Sequence, residues 1–227
     1  MTNIKSKLRK VAAIVVCLAV TTMFVACDND NNGDENGGTT STIGIVINGV
    51  KWAACNVDAP GKFAASPEAL GMFYQWNRRT AYPTTGAGTP SNWDATTPTG
   101  TQWAKSNDPS PSGWRLPTIN ELKSLFDTDK VTNEWTKQNG VNGMKFTDKA
   151  SGKSIFLPAA GYRTYAEGRL VLAGEIVIAG EPYYKGHYWS STQYDSGLAY
   201  RMSFDSDDAN FFTTDRSCGF NVRCVAN

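Results

Sequence analysis

The 227-residue chain is poor in the residues that bind metals. It has one histidine, His187, and five cysteines with no Cys-x-x-Cys pair, so it offers no ligand set for a zinc site. Runs with helical periodicity are few, whereas glycine (21), tyrosine (9) and tryptophan (7) are plentiful. We therefore expect strands with many loops, no cofactor and no bound metal.

The N-terminal residues have the pattern of a bacterial lipoprotein signal. Four basic residues precede an apolar segment at 11–20, which is too short to span a bilayer as a permanent helix. The segment leads to FVAC at 24–27, where a small residue before the cysteine is typical of a lipobox. We predict a signal peptide at 1–26 and lipidation of Cys27. The alternatives are an ordinary secretory signal, in which Cys27 is incidental, and an uncleaved membrane anchor.

A polar, acidic segment follows at 27–42. After Cys27, DNDNNGDENGGTTST has no large apolar side chain to bury, so the segment is predicted to be a flexible tether. The acidic run resembles the surface-export signal of lipoproteins in the Bacteroidetes; the alternative is a spacer that happens to be acidic. We expect a protein that is held in the outer membrane by its lipid anchor and that faces the cell exterior.

The mature chain carries slightly more negative than positive charge. Residues 1–26 hold four of the 22 basic residues and none of the 21 acidic ones, so 18 basic residues remain against 21 acidic ones. No basic stripe is left to follow a phosphate backbone, which argues against nucleic acid as a partner. The remaining residues, 43–227, have the size of one domain with a sizeable core.

Three cysteines belong to this domain: Cys55, Cys218 and Cys224. An odd number allows one intrachain disulfide at most. Cys218 and Cys224 lie on one segment that is predicted to be extended, where six residues span about 20 Å, too far for a disulfide. We favour a bridge between Cys55 and Cys224; the alternative is that all three are buried thiols.

The pattern of the domain predicts two short helices and many strands. SPEALGMFYQWN at 66–77 begins with serine and proline, which suit an N-cap and a first helical turn. In GWRLPTINEL at 113–122, Thr118 and Glu121 have the spacing of a capping box. Strands are predicted at 43–57 around an Asn-Gly turn, at 131–163, in a hairpin at 168–186 and in a C-terminal meander at 187–225. The predicted fold class is α+β.

Four motifs follow one another along residues 43–227: VKWAACNVDAPG, GWRLPTINEL, IFLPAAGYR with YWSST, and GFNVRCV. Together they resemble the Fibrobacter succinogenes major paralogous domain (FISUMP) of Bacteroidetes surface lipoproteins. The resemblance implies a C-type-lectin-like fold, related to the formylglycine-generating enzymes, with two short helices on a twisted antiparallel sheet, adjacent terminal strands and long loops. It implies no catalytic residues. Cys218 and the long segment 168–186 depart from the family pattern.

Two long segments, 78–113 and 168–186, carry the candidate ligand-binding residues. Loops of this length inside a domain are usually functional or disordered. The candidates are the aromatic residues Tyr82, Trp93, Trp103, Tyr183 and Tyr184. Aromatic rings are common binding anchors and stack on sugar rings. The alternative is that each ring packs as an anchor of its own loop.

Two features hint at chemistry, and a simpler interpretation is favoured for each. His187 lies close to the serines of HYWSST (187–192), but proximity along one strand is poor evidence for a catalytic triad. The paired cysteines that the formylglycine-generating enzymes use are missing. The aspartates of DSDDAN (205–210) suit calcium, but the glycine and glutamate of an EF-hand loop are absent, so a solvated hairpin turn is predicted.

These observations predict a non-enzymatic, surface-exposed lipoprotein. Its domain would bind a glycan or another extracellular polymer through the loops at 78–113 and 168–186. The alternative is a structural or adhesin-like component that binds a protein partner.

Overall fold

The computed structural model describes residues 44–86, 88–171, 173–178 and 180–227. The predicted signal peptide (1–26), the tether (27–42) and Cys27 lie outside the described residues. Within the described ranges, the strands are β1 (Gly44–Ile47), β2 (Val50–Ala53), β3 (Met72–Tyr74), β4 (Ala81–Pro83), β5 (Trp114–Arg115), β6 (Val131–Gln138), β7 (Val141–Asp148), β8 (Ser154–Pro158), β9 (Tyr162–Arg163), β10 (Leu170–Val171), β11 (Ala173–Ile178), β12 (Glu181–Tyr184), β13 (Gly186–Gln193), β14 (Leu198–Phe204), β15 (Ala209–Asp215) and β16 (Val225–Ala226). One α-helix, α1 (Ile119–Ser124), and a 3-10 turn (Lys105–Asn107) complete the described elements.

The strands form several small antiparallel sheets. β1 and β2 make a hairpin across the predicted Asn-Gly turn, and Val225 of β16 pairs with Trp52 of β2, so the terminal strands are adjacent. β6, β7 and β8 form a second sheet, and β13, β14 and β15 form a meander. The segment 168–186 contains the predicted hairpin as β11 and β12. Each of these pairings agrees with the sequence pattern.

The predicted helix at 66–77 is wrong. Residues 66–71 form turns, and β3 then pairs with β4 so that Phe73 lies opposite Tyr82. Gly71 has a φ of 67°, and a Cβ at this position would collide with the carbonyl of Val57, so the chain leaves the helical region here. The backbone of Tyr74 also bonds to Phe220 in both directions, at 2.8 and 3.0 Å. Strand pairing therefore overrides a favourable helix start.

This correction changes the fold class. The described residues are mostly β-strands, with α1 as their one α-helix, so the expected α+β, C-type-lectin-like arrangement of two helices on a sheet is contradicted. α1 itself is confirmed, with both hydrogen bonds of the capping box between Thr118 and Glu121. Arg115 adds a bidentate ion pair to Glu121, at 2.6 and 2.9 Å. No helix among the described residues is long and apolar enough to cross a membrane.

Buried arginines hold the long loops in place. Arg163 and Arg216 are almost completely buried. Arg163 donates hydrogen bonds to the carbonyls of Pro83, Thr85, Gly86, Gly88 and Gly168. Arg216 donates to the carbonyls of Pro98 and Gly100. Because each guanidinium has five donors in a rigid fork, one side chain can fix several loop carbonyls at once. The predicted long segment 78–113 is thus anchored to the β-rich core.

The predicted disulfide between Cys55 and Cys224 is not formed. Cys224 is a free, buried thiol, and its Sγ lies 3.1 Å from the hydroxyl oxygen of Ser110. Cys218 is also a free, buried thiol. Burial raises the pKa of Cys224 to about 12 and that of Cys218 to about 11, so both are neutral and weakly reactive at physiological pH.

Candidate ligand-binding cavity

One face of the β13–β14–β15 sheet carries a row of polar side chains. His187 on β13 lies directly opposite Ser203 on β14. Arg201 precedes Ser203 by two residues and therefore shares its face, and Phe212 on β15 lies opposite Arg201. The other face carries Tyr188, Met202 and Phe204, which belong to the hydrophobic core that includes Leu122 of α1. The apolar face thus fixes the positions of the polar row.

A cavity of about 390 Å³ lies over this polar row. Its lining residues are Tyr162, Thr164, Tyr165, Lys185, His187, Arg201, Ser203, Phe212, Thr214, Cys218 and Phe220. Tyr165 and Phe212 are 56% and 44% exposed, so the cavity meets the protein surface at these two rings. Its volume is within the range of small-molecule sites, about 300–1,000 Å³.

Three polar atoms at the cavity are buried without a hydrogen-bond partner among the described residues. They are His187 Nε2, Arg201 Nε and Ser203 Oγ. His187 is 3% exposed and Ser203 is 1% exposed. Buried polar groups are almost always hydrogen-bonded, so these three residues leave unused hydrogen-bonding capacity at one cavity.

The contact between His187 and Arg201 determines where the imidazole proton lies. Arg201 Nη1 is 2.8 Å from His187 Nδ1. A guanidinium only donates, so Nδ1 accepts and the neutral ring carries its proton on Nε2. Burial, together with the positive charges of Arg201 and Lys185, lowers the pKa of His187 well below its usual value. His187, which lines the cavity, therefore carries an N–H donor without a partner among the described residues.

Aromatic rings hold these polar groups in place. The imidazole of His187 stacks on Phe220, with ring centroids 5.3 Å apart, and meets the edge of Tyr162 at 4.9 Å. The guanidinium carbon of Arg201 lies 5.1 Å from the ring centre of Phe212 and 5.2 Å from that of Phe220. Such cation–π contacts favour a fixed guanidinium plane. These contacts restrain the side chains of His187 and Arg201 at the cavity.

The acidic turn at 205–210 lies near one end of the cavity. Asp205 is buried and forms an ion pair with Lys185 at 2.9 Å, and it accepts a hydrogen bond of 2.5 Å from the hydroxyl of Tyr183. Its other oxygen accepts from the backbone N–H groups of Asp207 and Asp208. The hairpin turn is present, but Asp205 is not solvated. Among the described residues, no group of three His, Cys, Asp or Glu side chains is placed to hold a metal.

Three of the five predicted aromatic residues anchor loops. Trp93 packs on Tyr82 with centroids 4.6 Å apart and donates its indole N–H to the carbonyl of Tyr165. Trp103 is 8% exposed, packs edge-on against Trp76 and donates to the carbonyl of Asn107. These contacts engage both indole N–H groups internally. A ligand-binding role for the three residues stays a prediction.

Tyr183 and Tyr184 lie elsewhere, along a second groove of about 340 Å³. Its other lining residues are Trp135, Lys137, Asn142, Glu181, Pro182 and Ser206. The hydroxyl of Tyr183 already donates to Asp205. Its pKa is raised to about 12 by burial and by that carboxylate, so it stays neutral. The structure therefore separates these two rings from the polar cavity.

The residues of the cavity escaped the sequence analysis for a physical reason. His187 was weighed there against the nearby serines of 187–192, but its contact is with Arg201 on the neighbouring strand. One signal for the cavity was available in the sequence. Residues two apart in a strand lie on the same face, as Arg201 and Ser203 do in β14 and Phe212 and Thr214 do in β15. That signal becomes specific only when the strand register is known.

Comparison with known proteins gives one family. The sequence model of one protein family, the Lcl C-terminal domain, matches residues 48–226. This range includes every residue that lines the cavity. A search of curated proteins and a search of solved structures found no match. Because the match covers most of the chain, this protein belongs to the Lcl C-terminal domain family.

Proposed function

We propose that this protein is a non-enzymatic, cell-surface lipoprotein that binds a glycan or another extracellular polymer, and that the cavity over β13–β15 is its binding site. One observation carries the proposal: His187, Arg201 and Ser203 line a single cavity, and each has a buried polar atom without a hydrogen-bond partner. A ligand with hydrogen-bond acceptors would satisfy them together.

The surroundings of these atoms support a carbohydrate. Ligand sites combine aromatic walls with a few convergent polar groups, and this cavity has Tyr162, Tyr165, Phe212 and Phe220 in its lining. The exposed rings of Tyr165 and Phe212 are placed to stack on a sugar as it enters. A polymer could insert one residue or one chain end here while the rest stays outside.

The state of the polar groups supports binding without chemistry. His187 has its Nδ1 occupied by Arg201 and a pKa well below its usual value, so it is a poor general base at neutral pH. Cys218 also lines the cavity, but burial raises its pKa to about 11, which leaves little thiolate for nucleophilic attack.

The location rests on the sequence. The lipobox ending at Cys27 and the acidic tether support a lipid-anchored protein of the outer membrane that faces the exterior. The four ordered motifs support a more specific relationship, to the FISUMP lipoproteins of the Bacteroidetes, within the broader family assignment.

A glycan array tests the proposal with a matched pair of variants. Tyr165 lines the cavity and Tyr194 does not, yet both side chains are 56% exposed. The full chain in detergent should bind a subset of glycans, Tyr165→Ala should weaken this binding about ten-fold or more, and Tyr194→Ala should leave it unaltered. Absence of glycan binding, or equal loss in both variants, would contradict the proposal and favour a structural protein that binds a protein partner.

A further inference from the structure

Arg201 is partly buried and differs from the fully buried arginines of the described chain. Arg163, Arg216 and Arg223 each donate four or more hydrogen bonds within the protein. Arg201 donates one, from Nη1 to His187. The hydrogen-bonding capacity of the first three is therefore used within the fold, whereas most of that of Arg201 is not.

The unused capacity lies along one edge of the guanidinium. Nε is buried without a partner, and the one hydrogen bond of Arg201 to the described residues leaves Nη2 unengaged as well. The Nε–H and one Nη2–H of arginine point in parallel and match the two oxygens of a carboxylate. His187 Nε2–H and the hydroxyl of Ser203 add two more hydrogen-bond donors to the same cavity.

The charge of Arg201 is also uncompensated. The ion pairs of the described residues join Arg78 to Asp94, Arg115 to Glu121 and Lys185 to Asp205, so none neutralises Arg201. Asp215 stands near Cys218, but its carboxylate accepts from the backbone N–H and the hydroxyl of Ser217. A partly buried cation without a counter-ion is costly unless something supplies the charge.

We propose that the cavity binds a carboxylate carried on a sugar-sized ligand, such as the acid group of a uronic acid. The carboxylate accepts two hydrogen bonds from the Nε–Nη2 edge of Arg201, and the N–H of His187 and the hydroxyl of Ser203 are left to bind oxygens of the attached sugar ring. The volume of about 390 Å³ accommodates the attached ring, and Tyr162 and Phe212 flank it. This inference rests on the proposed function and names the ligand class of the same site.

Isothermal titration of the full chain in detergent tests the inference with four sugars of nearly equal size. The probes are sodium D-glucuronate, its neutral methyl ester, D-glucose and D-glucose 6-sulfate. We expect glucuronate to bind at least about ten-fold more tightly than the ester or glucose, which lack the negative charge that pairs with the donor edge of Arg201. We also expect it to bind more tightly than the sulfate, whose tetrahedral oxygens fit the planar edge less closely than a planar carboxylate does. The comparison of acid and ester uses the unaltered protein and does not depend on the folding of a variant.

Variants then locate the interaction. Arg201→Met should abolish the preference for the acid, Arg201→Lys should retain part of it, and Arg169→Met should keep it. Arg169 is exposed and does not line the cavity, so it controls for a general loss of positive charge. A thermal melt of each variant confirms that it is folded.

Other results would overturn the inference while leaving the proposed function open to its own test. Equal affinity for the acid and its ester, tighter binding of the sulfate, or no binding of any probe would each reject a carboxylate site. The glycan array with Tyr165→Ala and Tyr194→Ala decides independently whether the cavity binds a polymer. If the array also shows no glycan binding, or an equal loss in the two variants, both proposals are wrong.

Discussion

Arg201 Nη1 lies 2.8 Å from Nδ1 of His187, across two neighbouring strands. This contact fixes the tautomer of the chain's one histidine and leaves its other nitrogen, Nε2, as the N–H donor. It also aligns the guanidinium so that its other edge is free. The candidate site therefore depends on the register between β13 and β14 rather than on any contiguous motif.

The first prediction concerns pH. His187 has a folded-state pKa well below its usual value, through burial first and then the charges of Arg201 and Lys185, with Asp205 acting in the opposite direction. Its contribution to stability is present above the unfolded pKa of about 6.5 and is lost as pH falls toward the folded pKa. No other ordinary side chain titrates between about pH 7.5 and 5.5.

Denaturant unfolding at several pH values between these limits measures this contribution. The free energy of unfolding should fall as pH decreases, and His187→Gln should remove most of that slope. A slope that is equal in both proteins would show that His187 is not held neutral by the fold.

The second prediction concerns the Lys185–Asp205 ion pair. The fold holds the pKa of Asp205 at about 2, because hydrogen bonds from Tyr183, Lys185 and the turn backbone outweigh burial. Asp205→Asn should lower the free energy of unfolding at neutral pH by roughly 1–3 kcal/mol. The contribution of Asp205 is present above about pH 4 and is lost as pH falls through about 2, so the variant should also show less acid dependence in that window.

Asp207→Asn is the matched control for this change. Asp207 is exposed on the same turn, and its replacement should alter the free energy of unfolding by about 0.5 kcal/mol or less. Chemical denaturation measures the free energy of unfolding of both variants. An equal loss in Asp205→Asn and Asp207→Asn would contradict the special role of Asp205.

The third prediction concerns calcium. The carboxylate of Asp205 is occupied by Lys185, Tyr183 and two backbone N–H groups, whereas a calcium site needs six to eight oxygen ligands. Calcium should therefore leave the melting temperature unchanged beyond general salt screening. A saturable increase with calcium that magnesium does not produce, and that Asp207→Asn abolishes, would show that a site exists.

The fourth prediction concerns α1, which supports the sheet beneath the cavity. Thr118→Ala removes the hydroxyl that caps the helix and should cost about 1 kcal/mol. Leu122→Ala creates a cavity at a fully buried position and should lower the free energy of unfolding by about 2–5 kcal/mol. Glycan affinity of the folded variants should stay unaltered; a stable variant that has lost binding would mean that α1 belongs to the site.

The fifth prediction concerns the membrane anchor. Cys27→Ser should abolish metabolic labelling with a fatty acid and either release the protein or leave its precursor unprocessed. Cys17→Ser, which changes a cysteine inside the predicted signal peptide, is the matched control and should be labelled normally. Labelling of the Cys27 variant would contradict the lipobox.

The sequence predicts those parts of the fold that depend on neighbouring residues. The Asn48–Gly49 turn between β1 and β2 needs two left-handed residues, and both have positive φ. The capping box of α1 is likewise a matter of residues three apart. Local rules suffice in both cases because the interacting groups are close along the chain.

The same rules fail where distant segments compete. Residues 66–77 have good helix-start residues, yet Tyr74 bonds to Phe220 and β3 pairs with β4. The cavity is harder still to predict. Its polar residues come from β13 and β14, and other lining residues, Tyr162 and Phe220, come from distant parts of the chain. Only the tertiary structure shows that His187, Arg201 and Ser203 share one cavity.

A crystal structure of the protein soaked with sodium D-glucuronate tests the central claim most directly. The account predicts density for the sugar acid in the cavity over β13–β15, with its carboxylate within about 3 Å of Arg201 Nε and oxygens of its ring in contact with His187 or Ser203. An empty cavity with the sugar bound along the groove of Tyr183 and Tyr184, or beside Trp93 and Trp103, would contradict it.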